Sequence, residues 1–162
     1  MHFESLNESH ARKLLAFELE NREHFESFIA PRDISFFSPM GVQQHIREVQ
    51  SNSGKFFVLL KNDAIIARAN IKCIQFNGQA EIGYRVGKHE TGKGIGTICV
   101  KYLIDVAKEQ GLDFLTAVVM DNNVASEKVL LNNGFQLDLC IPNGFLHQGK
   151  SMHGFKYLRP VT

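Results

Sequence analysis

Gly92-Lys93-Gly94-Ile95-Gly96 stands between a strand-like segment, residues 81–86, and a helix-like one, residues 97–110, and the reading of this junction decides the fold. The first amides of a helix have no partners inside it and point the same way. Together with the positive end of the helix dipole they hold an anion. Glycines let a diphosphate approach the backbone with no Cβ in its way. The loop is therefore expected to seat a phosphate group.

Three kinds of loop share that property. A Walker A loop matches the G-x-x-x-x-G-K spacing of residues 87–93, but Gly94 stands where the magnesium-binding Ser or Thr belongs. A dinucleotide-binding loop needs G-x-G-x-x-G and an acidic residue about 20 positions on. Here the spacing is G-x-G-x-G, and Asp113 precedes the next strand instead of ending it. The third kind, x-x-G-x-G between a strand and a long helix, is decided by its surroundings.

The 162 residues suffice for one domain, 1–162, with a full core, and they contain no linker, repeat or low-complexity run. A net charge of +1, from 18 basic and 17 acidic residues, argues against DNA binding or membrane attraction as the main activity. The N-terminal stretch is acidic and lacks a secretory apolar segment of about 7–15 residues. No run approaches the roughly 20 apolar residues of a membrane span. Cys73, Cys99 and Cys140 are odd in number, widely spaced and in apolar settings, which predicts buried thiols in a reducing cytoplasm. His147 and His153 lack metal-ligand spacing, so no metal is expected.

Outward from the loop, the periods place the elements. Residues 2–6 form a short strand; Asn7 or Ser9 caps a helix whose Ala11, Leu14, Leu15 and Leu19 recur at helical spacing. Residues 29–37 are irregular. Ser38-Pro39 starts a second helix with Val42, Ile46 and Val49 in one stripe. From Lys55 the period is two: residues 56–60, then a strand with Ile65, Ala67, Ala69, Ile71 and Cys73 on one face and Arg68, Asn70 and Lys72 on the other. Asn77-Gly78 reads as a two-residue hairpin turn. It feeds residues 80–86, with Ile82, Tyr84 and Val86 opposite Glu81, Gly83 and Arg85. The helix after the loop ends at Gly111. Residues 114–119 are a central strand, a short helix runs from Asn122 or Asn123 to Gly134, and residues 135–141 and 152–158 make a last hairpin. The expected class is α/β, a mixed sheet with helices on both faces.

This order, the x-x-G-x-G loop, and the downstream Val119-Met120-Asp121-Asn122-Asn123-Val124-Ala125-Ser126 ending in Asn133-Gly134-Phe135 together resemble the GNAT acetyltransferase superfamily. Glu81-Ile82-Gly83-Tyr84 and Glu20-Asn21-Arg22-Glu23-His24-Phe25 resemble its branch of ribosomal-protein N-terminal acetyltransferases, the RimJ and RimL type. The resemblance implies a seven-stranded, mostly antiparallel sheet splayed between strands four and five, with about four helices on both faces. It also implies a cytoplasmic monomer or homodimer that moves an acetyl group from acetyl-CoA to a primary amine. Two departures stand out. Thr91 occupies the first loop position, where the family usually has Gln or Arg, and Leu130 stands where many members carry a Tyr.

By this resemblance the amides of Gly92, Lys93, Gly94, Ile95, Gly96 and Thr97 hold the diphosphate. The pantetheine arm pairs with the strand near Val86, and the Asn123 side chain bonds the same arm. A backbone N–H near Val86 serves as oxyanion donor. Glu81 is the candidate base for the attacking ammonium, set against a plain salt-bridged strand carboxylate. Ser126 is the candidate proton donor to the thiolate, set against a helix-capping role. Tyr84 is a second hydroxyl or a core residue. The expected acceptor is a protein N-terminal α-amino group. The alternatives are a small amine (polyamine, amino acid or aminoglycoside) or an acyl-CoA-binding module without turnover.

Overall fold

The computed structural model describes residues 1–162. Seven strands, β1 (His2–Ser5), β2 (Lys55–Lys61), β3 (Ala64–Lys72), β4 (Gln79–Val86), β5 (Phe114–Met120), β6 (Gln136–His147) and β7 (Lys150–Pro160), form one sheet in the order β1-β2-β3-β4-β5-β7-β6. All neighbours are antiparallel except β4 and β5. Helices α1 (Ala11–Glu20), α2 (Arg22–Glu26) and α3 (Pro39–Ser51) cover one face; α4 (Ile95–Glu109) and α5 (Val124–Asn132) cover the other.

The larger core lies under α4, whose Cys99, Val100, Leu103 and Ala107 are fully buried with Ala67, Ala69 and Ile71 of β3 and Leu115 of β5. A second core joins Leu14, Phe17, Val42 and Ile46 to Val58, Leu60 and Ile65. Burying a side chain of this size contributes about 1.5–3 kcal/mol, so both helical layers are fixed to the sheet by their apolar stripes. Ser38 caps α3 as its sequence suggests, its Oγ accepting from the Gly41 amide at 3.0 Å.

The feature that makes a site is the parallel pair. β4 and β5 pair only over Gln79↔Phe114, Ala80↔Leu115 and Glu81↔Thr116. Beyond Glu81, β4 stays with β3 and β5 stays with β7. The two strands diverge, as expected, and leave one edge of β4 open from Ile82 to Val86.

Several local expectations need correcting. There are five helices, because Asn21 (φ −103°, ψ 8°) breaks the first one and α2 follows as a separate turn and a half. A bulge at Leu59/Leu60 shifts the β3 register, so Ile65 joins the second core, not the Ala67 face. Asn77-Gly78 sits inside a longer connection from Cys73 to Gly78 and not in a two-residue loop, although Gly78 does take a positive φ of 77°. The last hairpin is longer than the apolar pattern indicated, because β6 is an edge strand with mostly exposed side chains. Cys73 and Cys140 are exposed and only Cys99 is buried, so the thiols are not uniformly packed as their apolar neighbours suggested. No helix is long and apolar enough to cross a membrane.

Candidate active site

The chain leaves β4 with the Gly87 amide donating to the Ile66 carbonyl at 2.9 Å, on the β3 side. By the alternation of a strand, the Tyr84 and Val86 amides face the edge that β5 abandons. A 3-10 turn, Lys88–Glu90, follows; its first amide donates to Asn21 Oδ1 at 2.7 Å. Asn21 is buried and also donates to the Phe17 carbonyl, so the break between α1 and α2 anchors the loop. Thr91 turns its hydroxyl back onto the Lys88 carbonyl at 2.7 Å, so its side chain is engaged within the turn.

Gly92 and Gly94 hold φ of 75° and 78°, and a Cβ built on either meets nothing within 4 Å. The first bond of α4 runs from the Ile98 amide to the Gly94 carbonyl at 3.1 Å. The amides of residues 92–97 therefore have no acceptor within the chain and stand over open space, the arrangement that fits a diphosphate. Gly96 has a different reason: an added Cβ would lie 3.3 Å from both Tyr84 and Val129, where α4 crosses β4 and α5.

A cleft of about 760 Å³ runs from this loop along β4. It gathers Gly92, Gly94, Ile95, Gly96 and Thr97 at one end, Tyr84, Arg85 and Val86 along the strand, and Asn123 and Ser126 from α5. His24, Phe25, Phe28 and Ile29, from α2 and the segment after it, complete the lining. Eight of the ten residues expected from sequence thus share one space. Lys93 is not among the lining residues; it pairs with Glu90 at 3.5 Å. Glu81 lies where β4 still pairs with β5, outside the lining, with Lys72 Nζ at 3.3 Å.

Asn123 caps α5, its Oδ1 accepting from the Ser126 amide at 3.2 Å, so its Nδ2 is the group left to meet a ligand. Ser126 Oγ lies 2.9 Å from the Tyr84 hydroxyl. Tyr84 packs against the core and reaches the cleft, and so fills both roles considered for it. Burial pushes its pKa up to about 12 although the Ser126 hydrogen bond opposes the shift. His24 stands in the stretch that carries the branch resemblance but received no role from the sequence, since a five-residue helix is too short to show which way its side chains face. Burial, with Lys88 beside it, holds its pKa below the usual 6.5, so the neutral imidazole is favoured. Two contacts fix α2 over the cleft: His147 Nε2 donates to the Glu26 carbonyl at 2.9 Å and Asn122 Nδ2 to the Ser27 carbonyl at 3.2 Å.

Behind Arg85 of the cleft wall lies a buried ionic cluster. Glu18 of α1 accepts from Arg68 Nη1 at 3.0 Å, Arg32 Nη2 at 3.3 Å and Arg85 Nη1 at 3.2 Å. Burial alone would raise the Glu18 pKa, but the Arg85, Arg68 and Arg32 guanidiniums outweigh it and hold the carboxyl below its usual range. His45 Nε2 accepts from Arg68 Nη2 at 2.9 Å. A guanidinium only donates, so this nitrogen carries no proton. Burial, with Arg68 and Arg32, pushes His45 down to about 3. The unfolded chain then binds a proton near pH 6.5 that the folded one refuses until about 3, and stability falls as pH falls through that window. The expected slope from His45 approaches about 1.4 kcal/mol per pH unit. Chemical denaturation between pH 7 and 4 should show it, and His45→Gln should flatten it; an equal slope in the variant would contradict this assignment.

Residues 1–136 match the family model described as acetyltransferase (GNAT) domain. The chain is 31% identical over 134 residues to the probable N-acetyltransferase YjcK of Bacillus subtilis (strain 168), covering 77% of this chain and 74% of that protein. Among solved structures, ribosomal-protein-S5-alanine acetyltransferase from Vibrio fischeri superposes with a TM-score of 0.92 at 23% identity, over 98% of this chain and 91% of the other. RimL, a ribosomal L7/L12 alpha-N-protein acetyltransferase solved in complex with coenzyme A, superposes at 0.88 with 20% identity, over 98% and 92% of the two chains. At these identities the two structures speak for the fold.

Proposed function

The chain belongs to the GNAT acetyltransferase family, and from that premise we propose that it acetylates the α-amino group of a protein N-terminus by direct attack on acetyl-CoA. The observation that carries this reading is the single cleft that joins the phosphate-seating loop to the open edge of β4 and continues to His24. GNAT acetyltransferases take the acetyl group from acetyl-CoA; here the amides of residues 92–97 would hold its diphosphate, and Asn123 Nδ2 and the exposed strand edge its arm.

Each remaining requirement of the chemistry meets a group of this chain. The Val86 amide faces the open edge and serves as oxyanion donor; such a donor is typically worth about 10²–10³ in rate. His24, neutral and in the cleft, takes the proton that the amine releases as it attacks; the α-amino pKa of about 8 leaves part of the acceptor in its neutral, attacking form at neutral pH. Ser126 Oγ donates a hydrogen bond to the departing thiolate, oriented by Tyr84. With its pKa of about 12, Tyr84 does not give up its own proton to a thiolate of pKa about 8.5. The pair acts by hydrogen bonding. Ser126→Ala should therefore lower kcat about tenfold, the worth of one such bond, with the Asn123 cap intact and coenzyme A affinity unchanged. A kcat within twofold of wild type would remove Ser126 from the reaction.

The acceptor is tested by intact-mass analysis of N-terminal peptides incubated with protein and acetyl-CoA. A 42-dalton gain at the α-amino group, about the mass of one acetyl for one hydrogen, supports the reading. Transfer to a polyamine or aminoglycoside with no transfer to any peptide would overturn it.

A further inference from the structure

Beside the cleft lies a cavity of about 10 Å³, no larger than one water, lined by Glu18, Arg22, Arg32 and Arg85 with Phe25 and Ile29. Phe25, Ile29 and Arg85 line the cleft as well, so the two spaces share a wall. The loop residues line only the cleft, which separates this cavity from the donor's phosphates.

The charges around the cavity do not balance. Arg22 is matched by Glu26 at 3.0 Å. Glu18 alone faces Arg32, Arg68 and Arg85, and no other carboxylate pairs with any of the three. His45 is neutral and adds none. One carboxylate against three guanidiniums leaves a surplus of two positive charges, although the chain as a whole carries only +1. Arg32 Nε and Arg68 Nε are buried without a hydrogen-bond partner. Arg32 lies over the Phe36 ring at 4.3 Å and Arg85 over Phe25 at 5.3 Å, which orients both guanidiniums without neutralising them. Their side chains are 22% and 24% exposed, so both remain reachable from solvent. Unpaired charge next to a substrate cleft is costly unless a ligand completes it.

We infer that the acceptor completes it: the cleft selects an amine that carries a carboxylate a few bonds away, seated in the cleft against Arg85 and attracted by the surplus charge of Arg32 behind it. This rests on the acetyltransferase reading of the cleft. The carboxylate has two sources, an acidic side chain within the first residues of a protein N-terminus or the α-carboxylate of a free amino acid.

The test compares kcat/KM for peptides beginning Ala-Glu, Ala-Gln and Ala-Lys, together with free alanine, glutamate and alaninamide. The wild type should prefer Ala-Glu over Ala-Gln by about 10–100-fold, the scale of a charge-assisted bidentate contact, and the preference should shrink as salt is raised. Arg32→Gln should cut that ratio below threefold and Arg32→Lys should restore part of it, with thermal melts confirming that both variants fold. Equal rates on all peptides would overturn the inference and leave the proposed function standing. Transfer to alanine and glutamate, with peptides and alaninamide inert, would keep the carboxylate site and overturn the protein acceptor. No transfer to any amine would overturn both.

Discussion

Gly94→Trp should abolish donor binding: in calorimetry with coenzyme A, the affinity should fall at least about 100-fold, the loss expected when several charge-assisted amide contacts are blocked together. The reason is geometric. Gly94 caps α4 with a left-handed backbone and open space above it, beside amides that no carbonyl in the chain accepts. An indole there would occupy the phosphate seat. Forcing a bulky residue to positive φ also strains the backbone, and a control separates the two effects. Gly111, at the far end of the same helix, has φ 68° and likewise nothing within 4 Å of an added Cβ. Gly111→Trp carries the same kind of strain and should bind coenzyme A like the wild type. Retained affinity in Gly94→Trp, or equal loss in both, would remove the loop from the account.

The second large effect is on turnover. His24→Gln should lower kcat by about 10²–10³ while coenzyme A affinity stays within threefold, because a positioned base is worth that much and His24 enters the cleft from α2, not from the glycine loop. Glu81→Gln should leave kcat within threefold, since that carboxylate is engaged with Lys72 outside the cleft. The opposite outcome, a collapse in Glu81→Gln with His24→Gln nearly silent, would give the base role to Glu81 acting through water. The pH dependence carries the same information. Because burial and Lys88 keep His24 below 6.5, kcat/KM in the wild type should fall with a slope of one as the acceptor amine, with a pKa of about 8, protonates. It should steepen to two only once His24 itself titrates.

The parts that were legible in the sequence are those governed by local chemistry. Gly92 and Gly94 announce a backbone that side chains rarely adopt, and the switch from helical spacing to alternation at Lys55 marks where the sheet begins. Asn123 and Ser126 lie three residues apart and so meet at a helix start, where the structure finds them hydrogen-bonded through the cap. What tertiary packing decides was not legible. Alternation put Arg68 on the face away from Ala67 and Ala69, but that face is covered by α1 and α3, and Arg68 ends 2% exposed against Glu18. Glu18 drew no reading from the helical spacing, and its three arginine partners come from residues 14, 50 and 67 positions away. No period reveals such a meeting. His24 depended likewise on where a short helix is clamped by His147 and Asn122, from strands and loops far along the chain. Glu81 was chosen for its nearness to the divergence of β4 and β5, and the register shows it one step on the paired side of it.

The most direct test is the crystal structure of this protein with coenzyme A. The diphosphate should lie on the amides of residues 92–97, with the thiol end between Val86 and Ser126. A diphosphate bound anywhere else on the molecule would contradict the assignment from which every later step proceeds.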